Sequence, residues 1–255
     1  MPIRPYLLAE TNWKHLKDAR FDLAILPWGA TEAHNYHLPY ATDNIQVDAI
    51  AAESARLAWE QGAKVIVLPC IPFGVNTGQT DIYLDINMRP STQMAVLRDI
   101  LEVLQRQGLK RFLLLNGHGG NNFKSMLREL GLDFPDMLLC FSNWFQAMDK
   151  TLYFDEMGDH ADEMETSLML HLRPDLILPK TEWGDGSEKK HQIQGFREKW
   201  AWTERPWSTI SADTGTGSPH EASAEKGAAF LEDLCQKMGD FLYDLATRPL
   251  NEFYQ

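Results

Sequence analysis

The chain has 255 residues, 44% of them hydrophobic, and carries 24 basic against 36 acidic side chains, a formal net charge of −12 at pH 7. A chain of this length buries roughly 70–75% of its unfolded surface, enough for one α/β domain or two small ones. The acidic balance argues against nucleic acid as a partner, because phosphate backbones are bound by a surplus of Lys and Arg, and weakly against anionic membranes.

Strand-like and helix-like patterns alternate along the chain. Leu23–Trp28 is a short apolar run. Residues 44–61 place Ile45, Ala49, Ala52 and Leu57 on one stripe at helical spacing, with Gly62 as a stop. Residues 65–68 are β-branched and apolar, as a strand buried on both faces requires. Ser91 reads as the N-cap of a helix reaching Gln107 and closed by Gly108. Residues 112–115 form the next strand, and Asn121 or Asn122 opens a helix to about Leu130. A strand at 137–141, a helix over 163–172 ended by Pro174, and a long amphipathic helix over 224–247, interrupted at Gly239, complete the pattern. The alternation predicts an α/β fold, a doubly wound, mostly parallel sheet with helices on both faces, in a single domain over residues 1–255. The stretch 180–219 is predicted as an elaborated loop over the site, with Trp183, Trp200, Trp202 and Trp207 chiefly as packing residues.

Cys70, Cys140 and Cys235 are odd in number, widely spaced and without a CxxC pair, so they read as free thiols of a reducing cytoplasm. Residues 1–10 lack the basic segment, apolar core and small-residue cleavage site of a signal peptide. No apolar run reaches the ~18–20 residues of a membrane span. A cytoplasmic location without membrane contact is expected.

In a parallel sheet, ligands bind beyond the carboxyl ends of the strands. Two polar motifs lie there. After the first strand come Glu32-Ala33-His34 and, past a turn holding Pro39, Asp43. Residues two apart in extended backbone point the same way, so Glu32 and His34 converge. After the 112–115 strand comes Asn116-Gly117-His118-Gly119-Gly120-Asn121, whose glycines permit tight backbone turns. Glu32, His34, Asp43 and His118 are nitrogen and oxygen donors that suit one or two divalent ions such as Zn, Mn or Fe, with Asp43 able to bridge two. A metal held this way makes water a nucleophile near neutral pH, which points to a hydrolytic enzyme.

The acidic segment 158–167 adds further candidates. Glu163 is a candidate ligand for a second ion, and also a candidate acid/base. His160 is a candidate acid/base, and Glu165 a catalytic or ligand-orienting carboxylate. Other readings stay open at this point. Glu163 and Glu165 also read as ordinary first-turn acids favoured by the helix dipole, and His37 as a structural residue. The glycine-rich turn, with Lys124 beside it, also reads as a phosphate cradle at a helix N-terminus, which would make the chain a non-catalytic phosphate- or nucleotide-binding module.

Taken together, these motifs resemble the creatininase (creatinine amidohydrolase) family, in its Gly-His-Gly-Gly-Asn branch. The run from Leu26 to Pro39, with Thr42-Asp43, carries the family's Glu-x-His and His-Leu-Pro. The motif at 116–121 matches Asn-Gly-His-Gly-Gly-Asn, and His160-Ala161-Asp162-Glu163-Met164-Glu165-Thr166-Ser167 looks like His-Ala-Gly-Glu-x-Glu-Thr-Ser. Thr216-Gly217-Ser218-Pro219 and Ala222-Ser223-Ala224-Glu225-Lys226-Gly227 resemble the family's last motifs.

The resemblance implies a doubly wound α/β fold and a binuclear zinc or manganese centre. It implies hydrolysis of a non-peptide or cyclic amide C–N bond in a small-molecule substrate, and a homo-oligomer, commonly a hexamer. It implies ligand roles for Glu32, His34, Asp43 (bridging) and His118, and the catalytic histidine's role for His160; Glu165 matches the motif's second acid. Formamide deformylases and peptide-trimming enzymes share the Gly-Gly-Asn form, so those reactions are alternatives, as is a catalytically idle binding protein. Three departures stand out. Gly120 replaces a metal-binding Glu of creatininase proper, which makes Glu163 the candidate replacement. Asn35 replaces a Gly but tolerates a left-handed turn. Asp162 replaces a Gly and is expected to alter metal preference or block part of the pocket.

Overall fold

Four apolar runs build one sheet: β1 (Leu23–Trp28), β2 (Val65–Val67), β3 (Arg111–Asn116) and β4 (Leu138–Asn143), paired in parallel in the order β2-β1-β3-β4. They come from a computed structural model that describes residues 3–253. The strands alternate their side chains between two apolar layers, the period of two that extended backbone imposes. Leu23 and Ile25 of β1, with Val65, Val67, Leu113 and Leu115, enter one core. Ala24, Leu26 and Trp28, with Ile66, Phe112 and Leu114, enter the other. A strand with both faces covered needs a continuous apolar run, which is what the sequence shows.

The helices are α1 (Trp13–Leu16), α2 (Thr42–Glu60), α3 (Pro90–Arg106), α4 (Lys124–Asp133), α5 (Glu163–Leu172), α6 (Gln194–Arg197), α7 (Trp207–Ile210) and α8 (Ala224–Thr247). Val47, Ile50 and Ala51 of α2, Met164 and Leu168 of α5, and Phe230, Leu234 and Met238 of α8 close the first core. Leu97, Leu101 and Leu104 of α3, with Leu127 and Leu130 of α4, close the second. Helices therefore cover both faces of a parallel sheet, as expected of a doubly wound fold. No described helix is long and apolar enough to cross a membrane. The three cysteines are free, and burial pushes the thiols of Cys140 and Cys235 up to about 11 and about 12.

Local details differ from expectation for identifiable reasons. α3 starts at Pro90, whose fixed φ and missing N–H suit the first helical position, and Ser91 lies inside the helix. α4 starts at Lys124 because Asn121 is spent elsewhere: its Oδ1 accepts from Val75 N (3.0 Å) and Gln93 Nε2 (2.8 Å). α8 runs unbroken through Gly239. That glycine is a packing notch, since a Cβ there would lie 2.8 Å from Leu57 Cβ on α2.

Two helix starts bring acids to the carboxyl edge of the sheet, and a third is capped by a serine. Asp43 lies in the first turn of α2. Asp162 caps α5, accepting from Glu165 N at 3.1 Å, and Ser223 caps α8, accepting from Lys226 N at 3.2 Å. α8 crosses α5 at Gly227, where any Cβ would run into the Ser167 carbonyl. Gly227→Ala should therefore overpack the crossing and destabilise the chain by about 1–3 kcal/mol. The measurement is urea unfolding, with a lowered midpoint at unchanged slope.

Candidate metal centre

The loops after β1 and β3, the start of α2 and the start of α5 converge on one buried cluster. Glu32, His34, Asp43, His118, His160 and Glu165 are all at most 8% exposed. His118 Nδ1 lies 2.8 Å from Glu32 Oε1 and 3.0 Å from Asp43 Oδ2. His34 Nε2 lies 3.1 Å from Asp43 Oδ1, and 3.9 Å from both Glu32 Oε1 and Glu165 Oε2. His160 Nδ1 lies 3.8 Å from Glu32 Oε1. Three donor groups result, Glu32/Asp43/His118, His34/Asp43/Glu165 and Glu32/His34/His160, each with its ligand atoms within 4.8 Å of one another. Asp43 belongs to the first two and turns a different oxygen toward each histidine.

The outer nitrogen of each imidazole is held by a backbone carbonyl. His34 Nδ1 faces Glu32 O (3.1 Å), His118 Nε2 faces Val75 O (3.0 Å) and His160 Nε2 faces Ala33 O (2.8 Å). A carbonyl accepts only, so each outer nitrogen carries the proton. Each inner nitrogen of a neutral ring then presents a lone pair to carboxylate oxygens, the second contact that metal-ligating histidines characteristically make. Asp43 Oδ2 is buried with no hydrogen-bond donor. Lone pairs facing carboxylates require a cation between them, so the donor set fits divalent metal.

In the metal-free chain, protons play that part. Burial opposes charge on His34, but Asp43, Glu165 and Glu32 outweigh it and raise its pKa to about 10. His118 is likewise raised well above its ordinary value: burial opposes its charge, and Glu32 and Asp43 overcome that. Burial pushes Glu165 up to about 8. His160 goes the other way, down to about 4, through burial and the neighbouring His34.

The structure separates the two acids of α5. Glu165 enters the cluster, its Oε2 also accepting from Ala161 N at 2.5 Å, where Ala161 takes φ 50°. Glu163 does not enter it. Its Oε2 accepts from Asp155 N (2.9 Å) and Glu156 N (2.6 Å), and its Oε1 is paired with Lys226 Nζ at 2.5 Å. With these partners Glu163 stands in none of the three donor groups, which corrects its expected place among the ligands and acid/base groups. Asp162 also departs from expectation: it caps α5 and does not line the cavity. Gly120 leaves no room for a side chain, because a Cβ would strike Val75 O and the His118 ring. Asn35 adopts φ 51°, and its amide ties the 184 and 213 loops together.

Other contacts were not anticipated from the sequence. Gln79, in the loop after β2, donates through Nε2 to Glu32 Oε2, leaving Oε1 to face His118. Trp207 packs edge-on against His160, with ring centroids 4.7 Å apart. Arg205 lies over the Trp207 ring at 4.7 Å and makes a bidentate pair with Asp159 (3.0 Å for each bond). The 180–219 stretch is thereby clamped over the centre, as expected. Its tryptophans divide: Trp183 stacks on His37 and Trp200 packs against Gly195, while Trp202 and Trp207 line the cavity. That cavity holds about 810 Å³ and reaches Glu32, Asp43, His118, His160 and Glu165.

Comparison with known proteins places these features in context. The family model described as creatininase, creatinine amidohydrolase, matches residues 9–242. A crystal structure of a putative creatinine amidohydrolase from Bacteroides fragilis is 40% identical and superposes with a TM-score of 0.92 over 99% of both chains. The creatinine amidohydrolase of Pseudomonas putida is 29% identical over 258 residues, 91% of this chain and 94% of that one. The mycofactocin precursor peptide peptidase of Mycolicibacterium smegmatis is 29% identical over 169 residues, 61% of this chain and 60% of that one. Among solved creatininases, a form described as Zn-Zn type and one described as Mn are each 25% identical, with TM-scores of 0.75 and 0.76 over 95% of this chain and 98% and 99% of theirs.

The two acids of α5 make a direct test of the geometry. Glu165→Gln should weaken zinc or manganese binding at least about tenfold, whereas Glu163→Gln should keep metal binding and lower stability by unpairing Lys226. Chelator competition and thermal unfolding on the same preparations separate the two outcomes.

Proposed function

The chain belongs to the creatininase family, and we propose that it is a metal-dependent amidohydrolase that cleaves a non-peptide or cyclic amide C–N bond. The observation that carries this reading is Asp43, shared between two donor groups. Glu32, Asp43 and His118 would hold one divalent ion, and His34, Asp43 and Glu165 a second. Glu32, Asp43 and Glu165 are three buried carboxylates whose charge divalent ions would offset; uncompensated buried charge is strongly destabilising. The nitrogen and oxygen donors suit zinc or manganese, the metals named for the two creatininase forms. When bound, such ions supply Lewis-acid polarisation of the substrate carbonyl and a water activated near neutral pH.

The chain's own residues supply the rest. His160 is held neutral, with its Nε2 proton committed to Ala33 O and its Nδ1 turned inward. It is placed to take the proton of the attacking water and return it to the departing nitrogen. Trp207 fixes the plane of that ring, and the Arg205–Asp159 pair holds Trp207 in place. The Gln79 amide keeps one Glu32 oxygen occupied.

The cavity supports a second reading within the same chemistry. At about 810 Å³ it exceeds what a small cyclic amide fills and lies in the range of sites for larger ligands. A formamide or a short peptide is therefore the alternative substrate class, in line with the name of the M. smegmatis relative. The apolar surface exposed at Tyr83, Leu84 and Leu152 supports assembly into a homo-oligomer as part of the same proposal.

Chelation should abolish hydrolysis across a panel of creatinine, cyclic amides, formamides and short peptides, and zinc or manganese should restore it. His118→Ala should lose both metal and turnover. His160→Ala should keep its metal and lose about 10²–10⁴-fold in kcat. A variant at 118 with full metal content and activity would overturn the proposal.

The pH dependence of metal binding follows from the raised groups. Below about 10 for His34 and about 8 for Glu165, a proton occupies the ligand atom and must leave when metal enters. Apparent metal affinity should therefore rise with pH through this range, with protons released on binding. Calorimetry in buffers of different ionisation enthalpy measures the release.

A further inference from the structure

The cavity is not uniform in charge along the sheet edge. Its acids Glu32, Asp43 and Glu165 belong to the donor cluster at the ends of β1 and β3 and the start of α5. Asp159 is neutralised by Arg205. Glu204, the remaining carboxylate of the lining, sits on the 202–207 strap beside Gly78.

Two further cations of the lining are in no ion pair, although Lys150 acts on the buried Asp162 carboxylate and favours its charge. Lys124 opens α4 after β3, and Lys150 follows β4. Among the described residues, the lysines in ion pairs are Lys17, Lys190 and Lys226. Lys124 and Lys150 are in none, although acids outnumber bases 36 to 24 in this chain. Lys150 is half-buried and Lys124 is exposed. An ammonium that lines a cavity without an ion-pair partner is a point-charge receptor for an anion.

We infer that the substrate carries an anionic group, a carboxylate or a phosphate, held by Lys124 and Lys150 while its amide lies over Glu32, Asp43 and His118. The inference rests on the amidohydrolase reading for the reacting end and on the two lysines for the other end. Lys124 follows β3 and Lys150 follows β4, so the two lysines enter the cavity from segments beyond the strands on the β4 side of the sheet. An N-acyl amino acid, a short peptide with a free C-terminus and a phosphorylated amide all meet that description. Hydrolysis of any of them adds one water across the C–N bond, with the hydroxyl going to the carbonyl carbon and the proton to the departing nitrogen.

The test uses the full-length, metal-loaded protein and matched compounds. N-formylglycine is compared with N-formylglycinamide, and glycylglycine with glycylglycinamide, by steady-state kinetics. Succinate and glycerol 3-phosphate are compared with succinamide and glycerol by titration calorimetry, which also separates a carboxylate preference from a phosphate preference. The wild type should favour the anionic member of each responsive pair about tenfold, and K124Q/K150Q should lose that preference through KM, with metal content unchanged. Equal response to charged and neutral members, or a preference that survives the double substitution, overturns the inference, including the case in which the anion binds only through the metal. If the anions bind in a lysine-dependent way but no amide is cleaved, the anion site stands and the hydrolase reading falls. If amides are cleaved without regard to charge, the reverse holds.

Discussion

The structure turns on one electrostatic problem: Glu32, Asp43 and Glu165 are buried together, with imidazole lone pairs aimed at them. Burying one unpaired carboxylate is costly, and burying three side by side is far more so. Protons on His34 and His118 relieve the repulsion in the metal-free chain. Divalent ions relieve it more completely, because they satisfy the oxygens and the nitrogens at once. The same feature that makes the cluster expensive to bury therefore suits it to divalent metal.

The scaffold meets that demand from outside the donors. Carbonyls of Glu32, Val75 and Ala33 hold the outer imidazole nitrogens and so set which nitrogen looks inward. Gly120 matters here for what it lacks: the space a Cβ would take is filled by the Val75 carbonyl that orients His118. Gln79 occupies one oxygen of Glu32, and the cap formed by Asp162 sets the start of α5 and hence the reach of Glu165. Two apolar layers on a parallel sheet supply the rigidity that these sub-ångström alignments need.

Much of the fold could be read from the chain because apolar runs and helical stripes carry their own period. The four strands and the 163–172 and 224–247 helices fall where periodicity places them. Glu32, His34, Asp43 and His118 could be read because each follows a strand or opens a helix at the functional edge. The choice between Glu163 and Glu165 could not. Two residues apart on a helix are about 200° apart around its axis, so only one can face the cluster. Which one does depends on how α5 is rotated against α8, where Lys226 captures Glu163.

By itself the sequence determined the order of strands and helices, the donor types and their position at the carboxyl edge, since these follow from local pattern and from the rule that parallel strands present ligands at that edge. Only the tertiary structure decided that Gln79 meets Glu32 across 47 residues, that Arg205 pairs with Asp159, that Glu165 is the third carboxylate of the cluster, and that Lys124 and Lys150 line the same cavity. The physical reason is that such contacts depend on loop paths and helix rotation, which are set by packing between distant segments and leave no period in the chain.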